Sequence, residues 1–300
     1  MKILHSIEEL DTLNQPVHWA MGFFDGVHRG HRQVIESAVL PGALRGVLTF
    51  AEHPLAVLAP ERQPRLITPV SEQKRALLAA LGVDVLLELP FTLQLASMEP
   101  QAFLDALRQL CPMAGVSVGS NWHFGRGGLG NASFVRSYAE AHGLQACVQK
   151  MAAYNGENIC SSRIRCVLEA GELAQAEAML GHAFSVAGVV EHGQHLARKL
   201  GFPTANIQVH PQMVNLPAGV YEVQVEVDGV RHQGIANLGV RPTIQEECKV
   251  VRLETHLPGW QGDLYGRMLQ VEMKRFLRPE RRFDSVDSLR AQIKCDLQML

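Results

Sequence analysis

Two groups of residues in this 300-residue chain have the types and spacing to handle phosphate. The first is Gly22-Phe-Phe-Asp-Gly-Val-His-Arg-Gly-His31. His28 and His31 are three apart, so a helix starting near His28 puts both imidazoles on one face of its first turn. Gly22, Gly26 and Gly30 let the backbone turn tightly and approach a ligand. Free N–H groups at a helix start, with two ring donors beside them, suit a polyphosphate. Asp25 is placed to orient a histidine or help hold a metal; read alone, it is a turn aspartate. The second group is Gly201-Phe-Pro-Thr-Ala-Asn206. Pro203 stiffens the turn, and in an extended chain Thr204 and Asn206 point to the same side. Their neutral oxygens suit Mg²⁺ that also binds nucleotide phosphates; read alone, the pair is a hydrogen-bonded turn.

Two further segments carry chemistry. Ile159-Cys-Ser-Ser-Arg-Ile-Arg165 stands directly before a predicted helix. Ser161 and Ser162 supply capping hydroxyls, and Arg163 and Arg165 make an anion site beside them. A strand over 249–256 puts Glu254 on one face with Arg252 and His256, and Val251, Leu253 and Thr255 on the other. The first set then looks toward a polar cleft, with Glu254 as a candidate general base. Gly125-Arg-Gly-Gly-Leu-Gly130 matches a dinucleotide fingerprint, but it lacks the strand–turn–helix context and the later acidic residue. It reads as a flexible loop. No Gly-x-x-x-x-Gly-Lys-Ser/Thr loop occurs, so a kinase here needs another phosphate cradle.

The elements that must position these residues fall into two patterns. Val17–Met21, Gly46–Phe50, Val83–Leu89, Val116–Gly119 and Ala146–Met151 read as buried strands, with helices near 31–40, 71–81, 99–110 and 131–142. Apolar strands alternating with helices predict a parallel sheet covered on both faces, with its ligand crevice at the carboxyl ends of the strands. Short helices over 161–170 and 173–180 follow, stopped by Gly171 and Gly181. Residues 184–191, 219–227, 230–237, 249–256 and 267–276 then alternate or are rich in Val, Ile and Thr. They predict a small antiparallel barrel or sandwich, closed by a helix from Val286 to Leu300. The expected domains are 1–182 and 183–300.

Composition narrows the class. The chain is 47% hydrophobic and 19% charged, as expected for a soluble globular protein. The formal net charge is −2, so no basic field points to nucleic acid. No apolar run is long enough for a membrane span, and the first residues lack a secretory h-region. Six cysteines, at 111, 147, 160, 166, 248 and 295, form no Cys-x-x-Cys pair. Free thiols in a reducing cytoplasm are the expectation, without a zinc site.

The first block resembles the His-x-Gly-His nucleotidyltransferases. Phe-Asp-Gly-Val-His-x-Gly-His is similar to the adenylyltransferase half of the bacterial bifunctional riboflavin kinase/FMN adenylyltransferases, the FAD synthetases. Residues 159–165 resemble that family's Ile-Ser-Ser-Thr-x-Ile-Arg, with Cys160 for the first serine and Ser162 for the threonine. Leu48-Thr-Phe-Ala-Glu-His-Pro54 is similar to Leu-Thr-Phe-x-Pro-His-Pro, with Glu52 for the proline. Val118-Gly-Ser-Asn-Trp-His-Phe-Gly125 resembles a loop that lies near nucleotide and flavin, with Trp122 for phenylalanine. The stretch from Arg32 to Gly46 is short for the family. In the second half, Gly188 to Gly193, Arg198 to Ile207, Gly219-Val-Tyr221, Ala236 to Thr243, Glu254-Thr-His256, Gly262 to Gly266 and Phe276 to Glu280 resemble the riboflavin kinase signature in order. Ala197 stands where its loop usually has glycine.

The resemblance implies phosphorylation of riboflavin to FMN by the second half and adenylylation of FMN to FAD by the first. It implies ATP and Mg²⁺ for both, with no nucleic-acid or membrane partner. It implies Glu254, His28 and His31 as catalytic. Gly22, Phe23, Asp25, Gly30, Asn121, Ser161, Ser162, Arg165, Gly201 and Pro203 are implied on ATP, Trp122 and Arg278 on flavin, and Thr204 and Asn206 on the metal. Two alternatives are a kinase with an impaired first domain and a non-catalytic flavin- or nucleotide-binding regulator.

Overall fold

The computed structural model describes residues 1–192, 201–241 and 250–300. The predicted loop residues Gly193 to Leu200, with Ala197, and the segment from Pro242 to Lys249 lie outside them. The chain forms two compact units: Met1–Pro64 with Lys74–Ser161, and Arg65–Gln73 with Ser162–Leu300.

The first unit is built on a six-stranded sheet: β1 (Lys2–Leu4), β2 (Val17–Met21), β3 (Leu44–Phe50), β4 (Val85–Leu89), β5 (Met113–Gly119) and β6 (Gln145–Gln149). The order is β1-β4-β3-β2-β5-β6, with every neighbouring pair parallel. Alternation along the strands sorts side chains to two faces. Trp19, Met21, Leu48, Val85 and Leu87 pack in one core with Phe103, Leu104 and Leu107 of α5 (Pro100–Leu110). Ala20, Val47 and Leu86 pack in the other. There they meet Val34 and Ile35 of α1 (Arg29–Glu36) and Leu78 of α3 (Ser71–Ala80). Gly46 is required between them, because a Cβ there would collide with Val17 and Trp19. The unit also holds α2 (Leu55–Leu58), α4 (Leu93–Ser97), α6 (Ala132–Ala141) and a hairpin of β7 (Ala153–Tyr154) and β8 (Glu157–Asn158). The strand order reverses around β2, between β3 and β5. A crevice at the carboxyl ends there is the expected ligand position of an open parallel sheet.

The second unit is a closed antiparallel barrel, which settles the choice between barrel and sandwich. It runs β10 (Ala205–Gln208), β13 (Val250–His256), β12 (Val230–Arg241), β11 (Gly219–Val227), β14 (Met268–Pro279), β9 (Ser185–Glu191) and back to β10. Closure removes the unpaired edges that short strands would otherwise present. The helices α7 (Ser161–Glu169) and α8 (Leu173–Leu180) precede it, and α9 (Val286–Leu297) follows. α7 beyond its first residue and all of α8 cluster with the barrel. So does the excursion 65–73, which no periodicity in the sequence announces. Leu66 pairs in parallel with Met213. Gln73 Nε2 donates to Ser185 Oγ at 2.8 Å and to its carbonyl at 3.1 Å, both buried.

Candidate active sites

The turn after β2 is built under strain. Phe24 and Val27 adopt φ of 54° and 39°, beside Gly26 at 78°. A β-branched residue in that region is costly and persists only where its surroundings hold it. Here the hold is specific: Phe24 and Val27 are buried, and Thr49 Oγ1 donates to the Phe23 carbonyl at 2.8 Å. The turn delivers His28 to the N-cap of α1, where its Nδ1 accepts from the His31 backbone N–H at 3.2 Å. An accepting Nδ1 leaves the ring proton on Nε2, so neutral His28 presents a donor. His31 stacks on His28, with centroids 3.5 Å apart and planes at 18°. Burial first, then the neighbouring charges of His28 and Lys74, holds the His31 pKa well below 6.5. Its buried Nδ1 has no protein partner.

These residues line a cavity of about 320 Å³ at the strand ends. Gly22 and Phe23 follow β2, Asn121 and Trp122 follow β5, and Lys150 and Met151 follow β6. Gly30, Cys160 and Ser161 complete the wall among the predicted residues. Asp25 is 3% exposed and does not line it; its carbonyl accepts from Ser161 Oγ at 3.1 Å. Ser162 and Arg165 belong to the other unit through α7.

A second cavity, about 310 Å³, shares Trp122 and His123 with the first. Its walls are apolar: Phe50, Pro54, Leu58, Phe91, Leu95 and Phe103 among them. Trp122 stacks on Phe124 at 4.4 Å and 13°. Apolar, aromatic walls of this kind suit a planar aromatic ligand. The Gly125–Gly130 loop contributes Gly125, Gly127 and Gly128 to this slot, consistent with its reading as a loop.

In the barrel, a cavity of about 460 Å³ is lined by Pro203, Thr204, Asn206, Thr255, Trp260 and Tyr265, among others. Gly201, with φ of 89°, precedes it in the left-handed region. Asn206 is 5% exposed; its Nδ2 reaches the Thr204 carbonyl at 3.3 Å and Oγ1 at 3.4 Å. That leaves Asn206 Oδ1 buried without a protein partner. An orphaned neutral oxygen beside a hydroxyl fits a hard cation that keeps most of its other ligands as phosphate and water. Among the described residues no group of His, Cys, Asp or Glu could hold a metal by itself.

Glu254 does not line that cavity. It stands in register with Asn206 on one side and Asn237 on the other, so the three share one face of the barrel wall. Its two predicted companions are occupied. Arg252 pairs with Glu191 at 2.9 Å, and His256, nearly buried, bonds the Pro203 carbonyl through Nδ1 at 2.8 Å. Arg278, expected on flavin, directs Nε and Nη2 to Asp296, at 2.9 and 2.7 Å, which ties β14 to α9. Thr255, expected in the core, has a buried hydroxyl without a partner in the cavity wall, as does the Trp260 indole N–H. Alternation along a strand identifies the inner face of a barrel but not where that face opens into a cavity.

The geometry agrees with comparisons to known proteins. A riboflavin kinase family model matches residues 180–300 and an FAD synthetase model matches 11–163. A bifunctional riboflavin kinase/FMN adenylyltransferase of Pseudomonas fluorescens is 36% identical over 99% of this chain and 96% of its own. Those of Escherichia coli K12 and Listeria monocytogenes are 35% identical, over 99% and 93% of this chain and 96% and 90% of theirs. A solved structure from Streptococcus pneumoniae, titled a macrolide-efflux protein, is 25% identical with a TM-score of 0.85, covering 99% of this chain and 97% of that one. Among the described residues no helix is long and apolar enough to cross a membrane.

Proposed function

Since the chain belongs to the bifunctional riboflavin kinase/FMN adenylyltransferase family and carries both of its domains, we propose that the two phosphate sites work in sequence. The kinase is assigned to residues 183–300 and the adenylyltransferase to 1–182. The observation that carries this reading is that a cavity lined by the predicted residues occurs in each matched region, with different side chains in each.

In the barrel, Glu254 accepts the proton of the riboflavin 5′-hydroxyl as that oxygen attacks the γ-phosphorus of ATP, and ADP leaves. Thr204 and Asn206 would hold Mg²⁺ through their oxygens, and the bound ion would supply neutralisation of phosphate charge. Gly201 and Pro203 shape the nucleotide turn. Arg278 acts by fixing α9 beside the flavin. In the first unit, an oxygen of the FMN phosphate attacks the α-phosphorus of a second ATP, and pyrophosphate leaves. His28 and His31 stabilise the charge that builds there. Gly22, Phe23, Gly30, Asn121 and Ser161 bind the nucleotide, and Asp25 holds the turn through its contact with Ser161. Trp122 meets the isoalloxazine. A soluble cytoplasmic enzyme is the setting this chemistry fits.

Incubation with riboflavin and Mg-ATP, followed by chromatography, tests the reading. FMN and then FAD are expected. FMN that is never converted supports the kinase-only alternative, and no turnover with flavin bound supports the regulator.

A further inference from the structure

Lys74 is 4% exposed, and no step above uses it. Burying an ammonium is expensive unless its surroundings repay the lost hydration. Here Nζ donates to the Phe50 carbonyl at 3.0 Å and lies 5.0 Å from the centre of the Phe23 ring. Those two residues belong to different cavities: Phe23 lines the histidine cavity and Phe50 the apolar slot. The Phe23 ring is met from another side by His53, edge-on at 4.8 Å. One buried cation therefore touches a wall residue of each cavity.

Its electrostatic neighbours are Glu88 on β4, Asp25 in the turn, Glu52 after β3 and Arg75 on its own helix. The Glu88 carboxylate is engaged by Arg75 at 2.5 Å, so Lys74 faces a carbonyl and a ring at contact distance. Burial lowers the Lys74 pKa from 10.5, with Glu88 and Asp25 pulling it back up. Its charge also opposes protonation of His31, which faces His28 in the turn and Phe24 beneath it. The other titratable side chains around that cavity are His123, Lys150 and Cys160.

We propose that Lys74 is a positioning residue for adenylyl transfer, setting the triphosphate cavity and the acceptor slot at the separation that in-line attack requires. The proposal rests on reading those cavities as the ATP and FMN sites, and the double histidine variant below tests that reading independently. In-line transfer depends steeply on the separation of the reacting atoms, and a misplacement of about 1 Å costs roughly 10²-fold. A cation behind Phe23 fixes that separation without touching substrate.

The test uses the full-length enzyme. With Lys74→Met, FAD formation from FMN should lose kcat by roughly 10²-fold, with riboflavin phosphorylation unchanged. The acid limb of the FAD-forming pH profile should move to higher pH, because His31 then takes a proton more readily. Lys74→Arg should keep the limb in place while still lowering kcat, since the longer fork displaces Phe23. A folded Lys74→Met enzyme with wild-type kcat overturns the proposal, as does a lowered kcat with an unmoved limb, which reduces Lys74 to a fold residue. If Lys74→Met melts below assay temperature, Lys74→Gln takes its place: lowered kcat with a raised limb supports the proposal, and wild-type kcat or an unmoved limb overturns it.

Discussion

The two units solve related problems with different side chains. The first gathers residues from the carboxyl ends of three parallel strands and presents stacked imidazoles, backbone N–H groups and a buried lysine. The second takes its oxygens, Thr204 and Asn206, from one strand and the turn before it, with Glu254 in register on the neighbouring strand. The nucleophiles explain the contrast. The FMN phosphate, with a second pKa near 6, is already anionic at neutral pH, so its site needs cations and donors but no base. The riboflavin hydroxyl must lose a proton as it attacks, so its site needs a carboxylate. In the proposed scheme a carboxylate serves where the acceptor is an alcohol, and imidazoles stand where the acceptor arrives charged.

The largest effect that sharpens this contrast is on the base. Glu254→Gln keeps the side-chain size and removes the proton acceptor, so riboflavin phosphorylation should lose kcat by roughly 10²–10⁴-fold. Adenylylation of supplied FMN should continue at its normal rate. Steady-state assays of each half-reaction measure this, and normal FMN production would remove Glu254 from the mechanism.

A smaller effect concerns the acceptor slot. Trp122 stacks on Phe124 and lines both cavities of the first unit. If the isoalloxazine enters that slot, the indole takes up part of its space, and FMN should bind with a high KM and accumulate during turnover of riboflavin. Trp122→Phe should lower that KM with little change in kcat. A low KM in the parent enzyme, unmoved by the change, shows that the slot already fits its flavin.

The smallest effect is on stability. His31 is half-buried, and the desolvation of its ring holds its pKa well below the unfolded value of 6.5. The unfolded chain therefore takes the proton first as pH falls. The stabilising contribution is complete above about 6.5 and is lost progressively below it, down to the folded pKa. His18, buried and bonded to Ser117 Oγ at 2.9 Å, shifts in the same direction. Calorimetry between pH 7 and 5 should show the melt of the first unit falling with pH, and His31→Ala should flatten that slope. An unchanged slope means that His31 is not the group being protonated.

Much of both sites was legible in the residues. Apolar strands between helices predict a sheet covered on both faces, with the histidine turn at a strand end, and Trp19, Met21 and Leu48 do pack on the face opposite Ala20 and Val47. The pairing of Thr204 with Asn206 followed from strand geometry. What stayed hidden depends on the third dimension. Lys74 carries no signal within the helix predicted near 71–81, because local sequence does not show that Phe23 and Phe50 meet it. Arg278 looked free for flavin until Asp296, 18 positions on, was brought to it. Residues 65–73 have no pattern of their own, and only the barrel gives Leu66 and Gln73 their partners.

The central claim is that two independent sites divide the chemistry, and one paired measurement tests it most directly. Wild type, Glu254→Gln and the double variant His28→Ala/His31→Ala are each given Mg-ATP with riboflavin or with FMN, and the flavins are separated by chromatography. The account predicts reciprocal losses. The histidine variant should turn riboflavin into FMN and stop there, with adenylylation reduced by at least about 10²-fold for the lost donors. The glutamate variant should make FAD from FMN but hardly any FMN from riboflavin. Loss of both reactions in either folded variant contradicts the account, because it would mean a single shared site.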